Sequence, residues 1–239
     1  MSSRAGEAAH ADVALYGHWI CPFATRVEFA LHQRGIAHDL IDLPPSAVRG
    51  PDFVLPDEFV EHSPRLEIPM VRVGNDYLAD SIPVLEWLEY SVDAPSLLPS
   101  DGADSALVQE RMAWIDKHAF RAMIGVYYGV EPDAIAKASD ALADALVEMG
   151  TWTTDTGWLA GTAPSLAEAV AMPIHVRMGG LQRLGFTGEL TPEWSAHGER
   201  CRTLAGWPGV EWSPEQTDEF VGRFEAFRRK RRSQNASRS

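Results

Sequence analysis

The chain has 239 residues, 45% hydrophobic and 23% charged, an ordinary globular composition that suffices for one large domain or two small ones. Its formal net charge of −13 argues against a general nucleic-acid binder, which needs a concentrated basic surface. No run approaches the roughly eighteen apolar residues of a membrane-spanning helix, and the two cysteines, Cys21 and Cys201, give neither a disulfide framework nor metal-ligand spacing, so no membrane partner and no metal are expected.

Residues 1–12 are small and polar, without the apolar core of a signal peptide, and read as a flexible leader. A reducing cytoplasm is the expected compartment. The run Val13-Ala14-Leu15-Tyr16 reads as a strand that stops at Gly17. Helical spacing begins just after Cys21, at Phe23, Val27 and the Phe29-Ala30-Leu31 run, and ends at Arg34-Gly35. Pro22 fits the first helical position, where its missing N–H costs nothing. Cys21 thus stands at a strand-to-helix junction, where free N–H groups and the helix dipole favour an anion and lower a thiol's pKa. The alternative is a small buried hydrophobe in a turn. Ile36 to Leu43 reads as a second strand, and the Pro-rich, acidic stretch 44–66 carries a short helix near Asp57 to Glu61. A strand from Ile68 to Val73, headed by Pro69, turns at Gly74-Asn75-Asp76 and returns through Tyr77-Leu78-Ala79. Asp80-Ser81 then caps a helix whose apolar face is Ile82, Val84, Leu85 and Leu88. Residues 13–92 therefore form a compact α/β module.

Residues 93–104, rich in Pro, Ser and Asp, read as a linker. Residues 105–227 show no strand. Leu107 to Tyr128, Pro132 to Thr151 and Ser165 to Leu184 read as helices, with shorter ones near Glu193 to Ala205 and Pro214 to Arg232. Ser165-Leu166-Ala167-Glu168 is a capping box. Residues 228–239 carry Arg228, Arg229, Lys230, Arg231, Arg232 and Arg238 with no acid, and read as a solvated, disordered basic tail. Cys201 reads as an inert structural thiol.

Four motifs in this order resemble the cytosolic glutathione transferase superfamily over nearly the whole chain. Leu15 to Val27, with Cys21-Pro22-Phe23-Ala24, resembles the family's first strand and active-site helix, in the cysteine (omega) subgroup; Trp19 and Arg26-Val27 also resemble the zeta type, which has serine there. Ser63 to Met70 resembles the family's Asn-Pro-x-Gly-x-Val-Pro segment with its cis-proline, and Leu78-Ala79-Asp80-Ser81-Ile82 its Glu/Asp-Ser pair. Trp158-Leu159-Ala160-Gly161 with the capping box resembles a segment of its helical domain.

The resemblance implies an α/β thioredoxin-like N-terminal domain and an all-α helical C-terminal domain, the glutathione transferase fold. It implies glutathione as co-substrate, a small electrophile as partner and a homodimer. Cys21 would lie beside the glutathione sulfur, with Phe23 nearby. Ile68, ahead of Pro69, would pair its backbone with the cysteinyl part, Ser81 would take the γ-glutamyl carboxylate and Asp80 the ammonium. His18, Trp19, Trp114 and Tyr127 would line the electrophile pocket.

Two departures stand out. Leu66 and Glu67 replace residues that are often glycine and a basic or apolar residue, and segment 51–62 is acidic where the family often holds the glycyl carboxylate. Arg49, Arg65 or Arg72 is left to hold that group, or another thiol replaces glutathione. The leading expectation is conjugation of glutathione to an electrophile. The alternatives are monothiol reduction with Cys21 as nucleophile, Ala24 excluding a dithiol mechanism, and a non-catalytic binding protein on the same fold.

Overall fold

The computed structural model describes residues 12–50 and 52–237, so most of the expected leader lies outside it. The first elements are β1 (Val13–Gly17), α1 (Pro22–Gln33), β2 (Asp39–Asp42), α2 (Asp57–His62), β3 (Met70–Val73), β4 (Asp76–Ala79) and α3 (Ser81–Ser91). Helices α4 (Gly102–Ile115), α5 (Arg121–Tyr128), α6 (Pro132–Trp152), α7 (Leu166–Arg183), α8 (Pro192–Arg202) and α9 (Pro214–Ala236) follow.

The strands form one mixed sheet in the order β2-β1-β3-β4. Strand β1 runs parallel to β2 and antiparallel to β3, which pairs antiparallel with β4. Every residue of β1 is buried, as its unbroken apolar run requires, whereas β2 is an exposed edge. This is a thioredoxin-like sheet followed by an all-helical region.

Helix α7 is the hub of the helical region. Leu166 to Ile174 are buried without interruption, and a helix apolar all round belongs inside the core. It packs on α1, α4, α5 and α9 and thereby joins the sheet region to the helices. Its N-terminus carries the expected capping box: Glu168 accepts from Ser165 N at 2.7 Å and Ser165 Oγ accepts from Ala167 N at 3.2 Å.

Several elements depart from the sequence expectation. The second strand covers only Asp39–Asp42. The helix expected from Leu107 begins instead at Gly102, inside the expected linker, because Asp101 caps it by accepting from Ala103 N and Asp104 N. A π-helical turn, Asp116–Phe120, splits it into α4 and α5. The expected disordered tail is helical as far as Ala236. Arg228 Nη2 donates to the carbonyls of Val126 (2.5 Å) and Leu184 (2.8 Å), and Arg232 donates to that of Val130, so these cations satisfy carbonyls at helix ends. Among the described residues, no helix is long and apolar enough to cross a membrane.

Candidate active site

The site is built where β1 delivers the chain to α1. Gly17 ends the strand, and a Cβ there would meet the Ala24 Cβ at 3.2 Å, so glycine lets α1 lie close against β1. Cys21 is the N-cap of α1 with Pro22 following it; its N–H donates to His18 O at 2.9 Å, and its carbonyl accepts from Thr25 N and Thr25 Oγ1. The Cys21 thiol is buried and lies 3.8 Å from Ile68 O, to which it donates. Burial pushes the thiol pKa up, while the N–H groups of Ala24 and Phe23 and the charge of Arg177 pull it down. Burial prevails, and the group is a thiol at neutral pH.

Ile68 and Pro69 are joined by a cis peptide bond immediately before β3. Leu66, where the resemblance places a glycine, takes φ = +54°, the backbone region glycine serves best. Asp80 also has a positive φ, +86°, and caps α3 by accepting from Ser81 N at 2.9 Å. Its other carboxylate oxygen accepts from Arg65 Nη2 at 2.7 Å. Ser81 is buried, and its Oγ accepts from Arg26 Nη1 at 3.3 Å.

These elements edge a cleft of about 540 Å³. One wall runs from Ile20 to Phe23, through Pro45 to Val48, Ser63 to Arg65 and Glu67 to Pro69, to Ala79 and Asp80. The facing wall is Ile124, Tyr127 and Tyr128 of α5 with Phe224 of α9. A largely apolar wall that carries Ser46, Ser63, Arg65, Glu67 and Asp80 among its apolar residues thus faces an apolar, aromatic one, the make-up of a small-molecule site.

Residues 20–90 match the family model described as the glutathione S-transferase N-terminal domain. Over this segment the chain is similar to the N-terminal domain of glutathione S-transferases, in keeping with the resemblance read from its motifs. Glutathione S-transferase U11 of Arabidopsis thaliana is 24% identical over 139 residues, covering 57% of this chain and 53% of the relative. A probable maleylacetoacetate isomerase 1 of Drosophila melanogaster is 29% identical over 97 residues, 40% of this chain and 39% of that protein. The matched part therefore spans about half or less of these relatives. A rice glutathione transferase solved with glutathione superposes with a TM-score of 0.79 over 93% of this chain and 99% of that one at 18% identity, and an omega-type enzyme of Trametes versicolor with 0.74 over 95% and 93% at 17% identity.

Within this fold, Cys21, Phe23, Ile68, Pro69, Asp80 and Tyr127 all line the cleft, whereas Ser81, next to Asp80, is buried and does not line it. Nor do three expected pocket residues. His18 stacks on Trp19 (5.6 Å, 28°), and Trp19 meets the Trp212 edge at 5.2 Å, so both pin the β1–α1 loop to the helical region. Trp114 packs between His118 and Trp152. Tyr16 packs on Phe59, and its hydroxyl donates to Glu58, which also accepts from Tyr77 at 3.2 Å. That hydroxyl is engaged away from the thiol.

Two buried arginines carry functional geometry that the sequence did not single out. Arg26 pairs with Asp116 at 2.7 Å and lies 3.5 Å above the Phe120 ring, bringing a cation to Ser81. Arg177 of α7 donates to Ile20 O (3.2 Å), Trp19 O (3.5 Å) and Thr25 Oγ1 (3.1 Å), clamping the loop that ends in Cys21. Burial pulls both guanidinium pKa values down to about 10, so both stay charged. The three arginines offered for a glycyl carboxylate are otherwise engaged: Arg49 with the carbonyls of Pro44 and Leu66, Arg65 with Asp80, and Arg72 with Asp12 and Gly74 O. Glu67 lines the cleft instead, accepting from Ser46 Oγ at 2.5 Å.

Proposed function

We propose that the chain is a glutathione S-transferase that adds the glutathione thiol to a small apolar electrophile such as an epoxide or an activated alkene or halide. The observation that carries this reading is the Ile68 backbone, presented by cis-Pro69 at the cleft edge 3.8 Å from the Cys21 sulfur. The cysteinyl part would pair with Ile68 as an added strand, placing its sulfur at Cys21. The γ-glutamyl carboxylate would meet Ser81 and the α3 N-terminus, with Arg26 behind them supplying positive charge. Asp80 would take the ammonium while its Oδ2 keeps the bond to Arg65.

In the reaction the glutathione S–H loses its proton to solvent and its sulfur forms a C–S bond, while halide leaves or the opened epoxide takes up a proton. Cys21, held as a thiol by burial, donates a hydrogen bond to the thiolate rather than attacking. The aromatic wall of Tyr127, Tyr128 and Phe224 desolvates the electrophile.

A second reading is favoured by the place of Cys21 as N-cap of α1, where the backbone of Phe23 and Ala24 lowers the thiol pKa against the effect of burial. In it the Cys21 thiolate attacks the glutathione sulfur of a mixed disulfide, the partner thiolate leaves, and a second glutathione resolves the protein disulfide, giving oxidised glutathione. A homodimer and a cytoplasmic location belong to the same proposal. Exposed Phe53, Val54 and Tyr90 offer apolar surface for self-association.

The test compares wild type with Cys21→Ser and Cys21→Ala in conjugation of chlorodinitrobenzene or an epoxide and in reduction of a glutathione mixed disulfide. Conjugation kept in Cys21→Ser but lost in Cys21→Ala supports the transferase with a hydrogen-bonding role for residue 21. Thiol transfer in wild type that vanishes in both variants supports the second reading. A folded chain not retained on immobilised glutathione overturns both in favour of a binding protein for other ligands.

A further inference from the structure

Away from the cleft, α7 and α8 bring a second chemically capable cluster together. His197 and Cys201 stand four residues apart on α8 and so share one face, and His175 reaches the same point from α7. One nitrogen of each histidine and the Cys201 sulfur all lie within 4.8 Å of one another. His197 and Cys201 are fully buried, and His175 is half-buried. On α7, His175 is two residues from Arg177, hence nearly opposite the face that clamps the Cys21 loop.

Three observations distinguish this cluster from plain helix packing. Glu168 Oε1 lies 3.5 Å from His197 Nε2, inside the core. The other partners of this carboxylate, Leu159 N, Ser165 N and Ser165 Oγ, are all donors, so it sits beside His197 as an acceptor. His197 Nδ1 faces His175 Nε2, 2.9 Å away. A carboxylate behind an imidazole is the arrangement that orients metal-ligating histidines. Next, Gly198 sits within α8, where glycine weakens a helix, and a Cβ there would meet His175 Nδ1 at 3.1 Å and Cε1 at 3.2 Å. The glycine makes the cradle in which that ring lies. Finally, Trp194 stacks on the other side of His175, 4.1 Å away and nearly parallel at 12°, fixing the ring plane.

We propose that His175 Nε2, His197 Nδ1 and Cys201 Sγ form a binding site for a divalent, borderline-soft cation, zinc above all, with a water as fourth ligand on the half-open side at His175. Two imidazoles and a thiolate suit zinc by donor type. From the usual Zn–N and Zn–S bond lengths, tetrahedral ligand atoms lie about 3.3–3.7 Å apart. The present 2.9 Å between the histidine nitrogens and 3.9 Å from Sγ to His197 Nδ1 bracket that spacing, so ligation needs side-chain shifts of up to about an ångström. Charge also balances: a dication, the Cys201 thiolate and the Glu168 carboxylate sum to zero in a buried site. On binding, two Zn–N bonds and one Zn–S bond form, the Cys201 proton leaves to solvent, and the proton between His175 Nε2 and His197 Nδ1 moves to the other nitrogen of the ring that carries it. The cation then fastens α8 to α7. Cys201 is a ligand in this assignment, not an inert thiol.

The experiment uses the untagged full-length chain, stripped with chelator and dialysed against zinc, with cobalt as spectroscopic probe. The expected result is one equivalent of zinc by elemental analysis and, with cobalt, a thiolate-to-metal charge-transfer band. That band persists in Cys21→Ser and disappears in Cys201→Ser, while His175→Gln, at the least buried of the three positions, weakens zinc binding at least tenfold. A folded wild-type chain that takes up well under one equivalent overturns the assignment. So does a charge-transfer band that survives Cys201→Ser, or zinc affinity unchanged in His175→Gln.

Discussion

Glu67→Lys is the perturbation that tests how the thiol wall treats the far end of glutathione. In the proposed binding mode, with the cysteinyl part on Ile68 and the γ-glutamyl end at Ser81, the glycyl carboxylate would run toward Glu67 and Ser46, while Arg49, Arg65 and Arg72 are all engaged in bonds of their own. Glu67 is half-buried at the cleft edge, so its repulsion is that of a partly screened pair, about 0.5–1 kcal/mol. Reversing the sign turns that cost into a similar gain, a change of about 1–2 kcal/mol or roughly 5–30-fold in affinity. Calorimetric titration with glutathione and with its glycyl ethyl ester separates this effect from general changes in the cleft. Wild type should bind the ester at least as tightly as glutathione. In Glu67→Lys, glutathione should gain the full factor, the ester less than about twofold, and the gain should shrink as added salt shortens the Debye length below about 10 Å. Equal gains for both ligands, or no gain in a folded variant, would refute the reasoning.

Glu168 is buried and accepts from Leu159 N (2.6 Å), Ser165 N (2.7 Å) and Ser165 Oγ (2.8 Å), so Glu168→Gln, measured by urea unfolding of metal-free protein, should cost about 3–5 kcal/mol; a loss below about 1 kcal/mol would contradict that network. Burial, with Asp42 adding to it, pushes the Glu28 carboxyl up to about 7. A carboxyl that binds its proton more tightly when folded contributes stability below its unfolded pKa, near 4.5, and that contribution is lost as pH rises through 7. Glu28→Gln should therefore raise stability by about 1–3 kcal/mol at pH 8 and change it little at pH 4, and equal effects at both values would count against it.

Local motifs were legible because their physics is local. The turn at Gly17, the cysteine and proline opening α1, the proline before β3 and the Asp80 cap each depend on neighbours a few residues away, and Cys21, Pro22, Pro69 and Asp80 line the cleft. What the sequence did not reveal depends on tertiary partners. Arg26 and Arg177 look like ordinary helix cations until Asp116, Ser81 and the loop carbonyls surround them. His18 and Trp19 adjoin Cys21 in sequence, yet their rings turn toward Trp212 because side-chain direction is set by what packs there, not by adjacency. The basic segment after residue 227 has the composition of a solvated end, and only the carbonyls of Val126, Val130 and Leu184 make it helical structure. The π-helical turn is equally invisible, since it opens at Asp116, whose partner lies in α1.

The two walls of the cleft have separate addresses in the chain. All the residues that would receive the thiol fall between positions 20 and 81, inside or beside the 20–90 segment that matches the family model, whereas the apolar wall is assembled from α5 and the final helix, around a hundred residues apart. On the proposed function, substitutions at Ile124, Tyr128 or Phe224 would alter the apolar wall alone and leave in place the residues proposed to seat the thiol. A chain cut short before Phe224 would lose part of that wall while keeping them.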